Sequence, residues 1–303
     1  MRKTILILLG GVMASIISIP QVAAFFARSE QRDSSSSNLR EQDEIHQTLK
    51  LAPGTRVEVA SIRGSVEIEA ANIEEAEIHI VRSAKSRAEL EQYKVGVEHN
   101  AKSLIIRGEQ RRGTSGSGFG PEVSHHVRLR LPRSVDLSIQ SIGGSVKIGD
   151  VGGQLAVSSV SGSLWVGAVD GQVQVSGISG AVTLGQVNQQ VEIKSVSGGV
   201  KIEQAVGALT VSGVSGSLSA GISRLERGVQ INSVSGQVEL RFRDELNAQL
   251  STDNITGEVS LDVPNVSVQS RSGASAIRAT IGKGGPTISI NGVSNGLRLA
   301  QGT

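Results

Sequence analysis

A glycine-marked unit of nine residues repeats through the second half of the chain, and it constrains the fold more than any other feature. Consecutive units read GSVKIGDVG from Gly144, GQLAVSSVS from Gly153, GSLWVGAVD from Gly162 and GQVQVSGIS from Gly171. Their third, fifth and eighth positions are almost always Val, Ile or Leu. Apolar residues two apart predict a short strand with one buried face, whereas this spacing and the recurring glycine exclude a helix.

Alternate units differ, so the full period spans two units. Units from Gly153 and Gly171 end in SVS and GIS, while the units between them do not. We therefore predict an all-β fold, a parallel β-solenoid whose 18-residue coils each contribute two short strands, with glycines at the bends. The crossover rule favours a right-handed coil. Stacking would place Gln154, Gln172 and Gln190 in one ladder. An antiparallel β meander is the alternative, and it does not explain the alternation.

The segment from Met1 to Ala24 has the features of a secretory signal peptide. Arg2 and Lys3 precede an apolar stretch over residues 4–19, and small residues end at Ala24. This order predicts a signal peptide over residues 1–24, with cleavage between Ala24 and Phe25. The chain is then expected to be exported, either to the periplasm or to the cell surface.

Three further segments follow the predicted signal. Residues 25–44 are polar and of mixed charge, which predicts a disordered tether. Residues 45–140 carry more charge and less glycine, with strand-like alternation, and predict a degenerate N-terminal region that caps the solenoid. Within it, residues 86–92 are predicted to be helical. Residues 141–303 contain the regular repeats.

Composition excludes several classes of function. The chain has no cysteine, so a disulfide framework, a thiolate metal site and a lipid-modified cysteine are excluded. Once Arg2 and Lys3 are removed, 28 basic residues face 28 acidic ones, which argues against nucleic acid as a partner. No later segment is long and apolar enough for a transmembrane helix. The repeat lacks the Asp row of calcium-binding rolls, and we expect no cofactor.

Four stretches resemble a known family of repetitive proteins. Residues 53–59 (PGTRVEV), 62–68 (IRGSVEI) and 129–132 (LRLP), followed by the Ser-Val-Ser-Gly units, are similar to bacterial adhesin domains of the DUF4097 type. The resemblance covers roughly residues 45–300. It implies a repetitive β fold, often exported, to which adhesion is assigned mainly by analogy, and it implies no catalytic residues.

The repeat offers no catalytic constellation. A glycan-cleaving enzyme needs carboxylates clustered on one face, but the acidic residues of the repeat occupy different positions of the unit. His125 and His126 are neighbours on a strand, so their rings face opposite sides and cannot share a metal. We therefore expect a non-enzymatic protein with an adhesin-like or structural role. A carbohydrate-binding or carbohydrate-active β-helix, and a periplasmic scaffold that binds another protein, are the alternatives.

Two insertions and one tryptophan mark the predicted interaction surface. The steps from Gly216 to Gly236 and from Gly236 to Gly257 are both longer than the regular period, so two loops are expected at one corner of neighbouring coils. A glycan or an envelope protein is the expected partner. The alternatives are a solvated salt-bridge network and a tryptophan that only covers its neighbours. The predicted surface comprises Trp165, Arg224, Glu226, Arg227, Arg241, Arg243, Asp244 and Glu245.

The signal peptide gives a direct prediction. The mature protein should begin at Phe25, because Ala24 supplies the small residue that signal peptidase requires before the cleaved bond. N-terminal sequencing of the protein from the envelope fraction checks this. Ala24→Asp should leave the precursor uncleaved; a mature N-terminus elsewhere would refute the assignment.

Overall fold

The computed structural model describes residues 41–110, 123–272 and 276–302. The predicted signal peptide, the cleavage site at Ala24 and Phe25, and tether residues 25–40 lie outside the described residues. Residues 41–44, which we assigned to the tether, instead begin the first strand, because they pair antiparallel with a strand of the capping region. Among the described residues, no helix is long and apolar enough to cross a membrane.

The described chain is almost entirely β-strand. Its single helix, α1, spans Arg87–Gln92 with Ser86 as N-cap, as predicted. In chain order the strands are β1 (Glu41–Lys50), β2 (Arg56–Ala60), β3 (Gly64–Ala71), β4 (Glu75–Ala84), β5 (Tyr93–His99), β6 (Ser103–Gln110), β7 (Val123–Pro132), β8 (Asp136–Ile142), β9 (Val146–Ile148), β10 (Leu155–Val160), β11 (Leu164–Val166), β12 (Val173–Ile178), β13 (Val182–Val187), β14 (Val191–Val196), β15 (Val200–Val214), β16 (Leu218–Val234), β17 (Val238–Phe242), β18 (Ala248–Ile255), β19 (Val259–Asp262), β20 (Val266–Ser272), β21 (Ala276–Ile281), β22 (Thr287–Val293) and β23 (Leu297–Gln301).

Each coil adds one strand to a front sheet and one to a back sheet, which confirms the parallel β-solenoid. The front sheet runs β5–β6–β2–β8–β10–β12–β14–β15–β16–β22–β18–β21–β20. The back sheet runs β1–β4–β7–β3–β9–β11–β13–β15–β16–β17–β23–β19. Strands β15 and β16 bend through a corner and contribute to both sheets. The antiparallel meander is therefore wrong for the regular coils.

The 18-residue register places like residues on like. Leu155 pairs with Val173, which pairs with Val191 one coil further. The third, fifth and eighth positions of both half-units are buried, as Leu155, Val157 and Val160 illustrate with at most 2 % exposure. Each such side chain contributes roughly 1.5–3 kcal/mol by burial, so the aliphatic stack is the main source of stability.

A left-handed residue bends the chain at the end of nine of the front strands. The seventh position has φ between 52° and 69° in Ser61, Ser141, Ser159, Gly177, Ser195, Gly213, Ser233, Asn254 and Gly292. This bend interrupts the two-residue alternation, which is why the eighth position points into the core although it lies three residues after the fifth. Small or hydrogen-bonding side chains reduce the cost of this conformation, so Ser, Asn and Gly recur there.

The glycine at the first position has a different role from the predicted one. These glycines approach the backbone of the previous coil, and a Cβ on Gly180 would lie 2.7 Å from the carbonyl carbon and oxygen of Gly162. The recurring glycine is therefore required by close stacking, while the bend itself is made mostly by serine. The expectation that these glycines mark the bends is corrected on this point.

Close stacking predicts a strong difference between two glycines. Gly180→Ala should destabilise the protein by about 1–3 kcal/mol, because the new methyl group meets rigid backbone. Gly149→Ala is the control: its Cβ would lie 3.6 Å from the nearest atom, so stability should stay within about 1 kcal/mol. Urea unfolding measures both, and equal effects would refute the stacking argument.

At both ends of the solenoid, the order of coils in space differs from their order in the chain. The coil of β6 and β7 stacks outside the earlier coil of β2 and β3, and the chain then returns so that β8 and β9 lie on the inner side. At the other end, the last coil, β22 and β23, inserts between β16/β17 and β18/β19. Sequential stacking therefore holds only from β8 to β17.

Antiparallel strands close the ends of this stack. Strand β5 pairs with β6, and β1 and β4 extend the back sheet beyond β7. At the other end, β21 and β20 add an antiparallel pair to β18. A further coil could extend the stack only by parallel pairing. The antiparallel strands at the ends do not continue that parallel pairing, so they limit the stacking of repeats.

A partly buried polar network joins the elements of the N-terminal cap. The guanidinium of Arg82 contacts both carboxylate oxygens of Asp43 and donates to the carbonyl oxygens of Leu90 and Tyr93, each at 3.1 Å. It thereby joins β1, β4, α1 and β5. His125, which is 2 % exposed, lies beside this network.

His125 makes the cap sensitive to acid. Burial, with the nearby positive charges of Arg82 and Arg63, lowers the pKa of His125 to about 4 despite the opposing charge of Asp43. The folded state therefore disfavours the proton, and stability should fall as the pH decreases from about 6.5 to 4, by about 3 kcal/mol at most.

Replacing this histidine tests the effect. In His125→Asn, the side-chain oxygen can accept the hydrogen bond that Arg63 N–H donates to Nδ1 at 3.3 Å. The free energy of unfolding, measured by urea denaturation at pH 7 and pH 4.5, should fall less in the variant than in the wild type. The same fall in both proteins would contradict the assignment.

Candidate interaction surface

Trp165 lies on the outward side of β11 in the back sheet. Its side chain is flanked in register by Lys147 and Thr183 of the neighbouring coils. The indole stays 45 % exposed, and the ammonium nitrogen of Lys147 lies 5.7 Å from the ring centroid. The ring is therefore partly covered by a cation on one side and is also accessible to a ligand.

A row of outward side chains continues from Trp165 along the back sheet. Successive strands place their equivalent residues at the same height, about 4.8 Å apart. In stacking order the row comprises Glu67, Lys147, Trp165, Thr183, Lys201, Ser219, Glu239, Arg298 and Ser260. We call these residues the back-sheet row. Three cations and one aromatic ring give it the character of a shallow polar track.

The first insertion is a bulge within β16, not a projecting loop. The register against β15 shifts between Ile202 and Ala208, and Leu225 packs partly against the core. Arg224 and Glu226 are exposed and form an ion pair at 3.6 Å. Arg227 is exposed beside them. An exposed pair of this kind contributes little to stability.

The second insertion connects β17 to β18. Arg241 binds both carboxylate oxygens of Glu239, at 3.1 and 3.0 Å, and lines a shallow depression of about 150 Å³ together with Arg243. Asp244 and Glu245 are exposed, and the backbone oxygen of Asp244 accepts a hydrogen bond from Gln301.

The two insertions begin next to each other but lead to strands that are not neighbours. Ile222 pairs with Phe242 in adjacent strands, but Val229, which follows the first insertion, pairs with Ile288 because the last coil is inserted there. The expectation of loops at one corner in neighbouring coils is therefore corrected. Arg241 lies in the strand four steps along the back sheet from Trp165, about 19 Å away.

The front sheet carries a second depression that sequence analysis did not select. It has a volume of about 200 Å³, and the predicted glutamine ladder contributes two of its members. Its polar lining consists of Arg56, Asp136, Ser138, Gln154, Gln172 and Gln174. The 18-residue register predicted the ladder, but Arg56 and Asp136 belong to the irregular region and gave no periodic signal.

Two acidic side chains, one just before the regular repeats and one within them, bind the next coil. Asp136 Oδ1 accepts from the backbone N–H of Gln154 at 2.8 Å, and Asp150 Oδ1 accepts from that of Ala168 at the same distance. Each acceptor lies one full period before its donor. These carboxylates therefore satisfy backbone groups at the corners of coils, an arrangement unlike a general acid and base facing a shared substrate.

The two candidate histidines lie as the sequence predicts, apart from each other. His125 is buried in the cap, whereas His126 shares a hydrogen bond with the hydroxyl of Ser65. The adjacent positions on β7 direct their side chains to opposite sides.

The chain belongs to the Toastrack DUF4097 family, whose model matches residues 55–298. This confirms the resemblance found in the sequence, and the match covers the cap from β2 onward as well as the regular coils. A search of curated proteins found no match.

Solved structures that match this chain are named for adhesion or lipid binding. A putative adhesin from Bacteroides fragilis is 10% identical and covers 86% of this chain and 97% of its own, with a TM-score of 0.43. A putative cell adhesion protein from Clostridium sporogenes is 12% identical over 86% and 100%, with a TM-score of 0.26. A putative lipid binding protein from Parabacteroides distasonis is 11% identical over 86% and 97%, with a TM-score of 0.35.

Proposed function

We propose that this protein is an exported, non-enzymatic adhesin-like protein that binds an extended ligand along the back-sheet row. The observation that carries the proposal is the exposure of Trp165 on a rigid sheet. Among the described residues, Trp165 and Val268 are the two large apolar side chains that remain exposed. A half-exposed indole offers a large contact area at low entropic cost, which is typical of binding surfaces.

A glycan is the ligand that this row fits best. The indole ring of Trp165 provides a flat apolar face for a sugar. Hydrogen-bonding groups along the same row come from Lys147, Lys201 and Glu239. The positions of the row are evenly spaced along the solenoid, about 4.8 Å apart, so an extended polymer can contact several of its side chains at once. Arg241, on the strand that carries Glu239, borders a depression together with Arg243.

A protein partner at the open edge of the front sheet is the second candidate. Strand β20 pairs only with β21 in the described part of the chain, and its Val268 is 53 % exposed. An exposed edge strand with an apolar side chain can accept a strand from another protein. This candidate corresponds to an envelope scaffold.

One substitution on each sheet distinguishes a specific binding site from nonspecific binding. On a glycan array, Trp165→Ala should weaken binding at least tenfold, because it removes the stacking face. Gln174→Ala, an exposed change on the front sheet, should leave it unchanged. Arg241→Ala combined with Arg243→Ala should weaken binding of long ligands more than short ones.

Two outcomes would overturn this assignment. Binding lost in Gln174→Ala and kept in Trp165→Ala would move the site to the front-sheet depression. If no glycan binds, crosslinking in the envelope with wild type and Val268→Lys tests the edge-strand candidate; capture of the same partner by both would exclude that edge.

A further inference from the structure

Two histidines and one glutamate meet at the outer strand of the N-terminal cap. Glu44 and His46 lie two residues apart on β1, so their side chains share one side of the strand. His46 faces His79 of β4 directly across the antiparallel pair. The register of these two strands therefore places all three side chains together.

The distances between their ligand atoms are those of a metal site. Oε2 of Glu44 lies 3.1 Å from Nε2 of His46 and 3.5 Å from Nε2 of His79. One ligand atom from each residue lies within 4.8 Å of the other two. Atoms bound at about 2.0–2.1 Å around a tetrahedral ion are separated by about 3.3–3.4 Å, so the observed spacing needs little adjustment.

We propose that Glu44, His46 and His79 form a binding site for a divalent transition-metal ion, with zinc as the best match, that fastens β1 to β4. Imidazole nitrogens with one carboxylate oxygen form a ligand set suited to zinc, and three protein ligands leave one position for water. Calcium and magnesium prefer oxygen ligands and fit this set poorly.

The packing of the two imidazole rings leaves the His46 ring room to turn toward a metal ion. The two imidazoles are stacked, with centroids 4.1 Å apart and an angle of 17° between planes. His46 has a 64 % exposed side chain, so its ring can turn toward a shared ion, while the 15 % exposed His79 is fixed by packing.

A cation on the neighbouring strand is offset by a carboxylate. Arg128 lies opposite His79 on β7, but its guanidinium is 3.4 Å from the carboxylate of Glu67, which offsets its charge.

The site has a structural consequence for β1, the first strand of the described residues. Strand β1 pairs with β4 alone in the described part of the molecule, and residues 25–40 precede it. A metal bound across the two strands would stabilise the docking of β1, and with it the point at which the preceding segment joins the solenoid.

Calorimetry on the untagged mature protein tests the site. Zinc chloride titrated into the wild type should bind with a stoichiometry of one, and calcium chloride should not. His46→Ala and Glu44→Gln should each weaken zinc binding at least tenfold. His99→Ala is the matched control, because it removes an exposed histidine from β5, another outer strand, and should bind zinc as the wild type does.

Hydrogen exchange provides a second readout that does not depend on His79. Zinc should slow exchange of the backbone amides of β1 in the wild type and in His99→Ala, but not in His46→Ala. Since Glu44 and His46 are exposed, their variants should fold even if His79→Ala does not. Equal zinc affinity in wild type and His46→Ala, or no zinc-dependent protection of β1, would overturn the proposal.

Discussion

In-register parallel pairing between successive 18-residue coils is the constraint on which the rest of this structure depends. It places Leu155, Val173 and Val191 in one continuous column, and the same holds for the other buried positions. The pairing also brings successive backbones close together, so Gly180 cannot carry a side chain without displacing the coil beneath it. The left-handed bend at positions such as Ser159 returns the eighth residue to the core. Core, glycines and bends are thus three consequences of one register.

The same register organises the outer surface. A residue that faces outward on one coil has its equivalent at the same height on the next, so polar residues form rows and a change at one position alters one step of a row. Trp165 interrupts a row of short and charged side chains, which makes it distinctive. Charged side chains elsewhere serve the stack itself, as Asp136 and Asp150 do at the corners. A binding function on such a surface depends on rows, since the described coils project few loops.

Growth of a stack has to be limited at both ends, and here the ends carry the irregular features. Antiparallel strands terminate the parallel order, and Arg82 joins the elements of the N-terminal cap through Asp43, Leu90 and Tyr93. Among the described residues, the buried titratable side chain His125 lies in this cap. The cluster around His79 belongs to the same cap, where strand order places distant residues side by side.

The sequence by itself determined the period, the buried positions, the parallel coil and the short helix after Ser86, because each depends on local spacing and, except for the helix, repeats many times. The tertiary structure alone decided which coils are neighbours at the ends. The last coil lies between two earlier ones, which separates Val229 from the strand after the second insertion. It also decided that Glu44 and His46 meet His79, since that contact depends on an antiparallel pairing between strands with no repeat signature. Such pairings depend on which strand edges gain the most burial and hydrogen bonding in the whole molecule. Local sequence spacing does not predict that outcome.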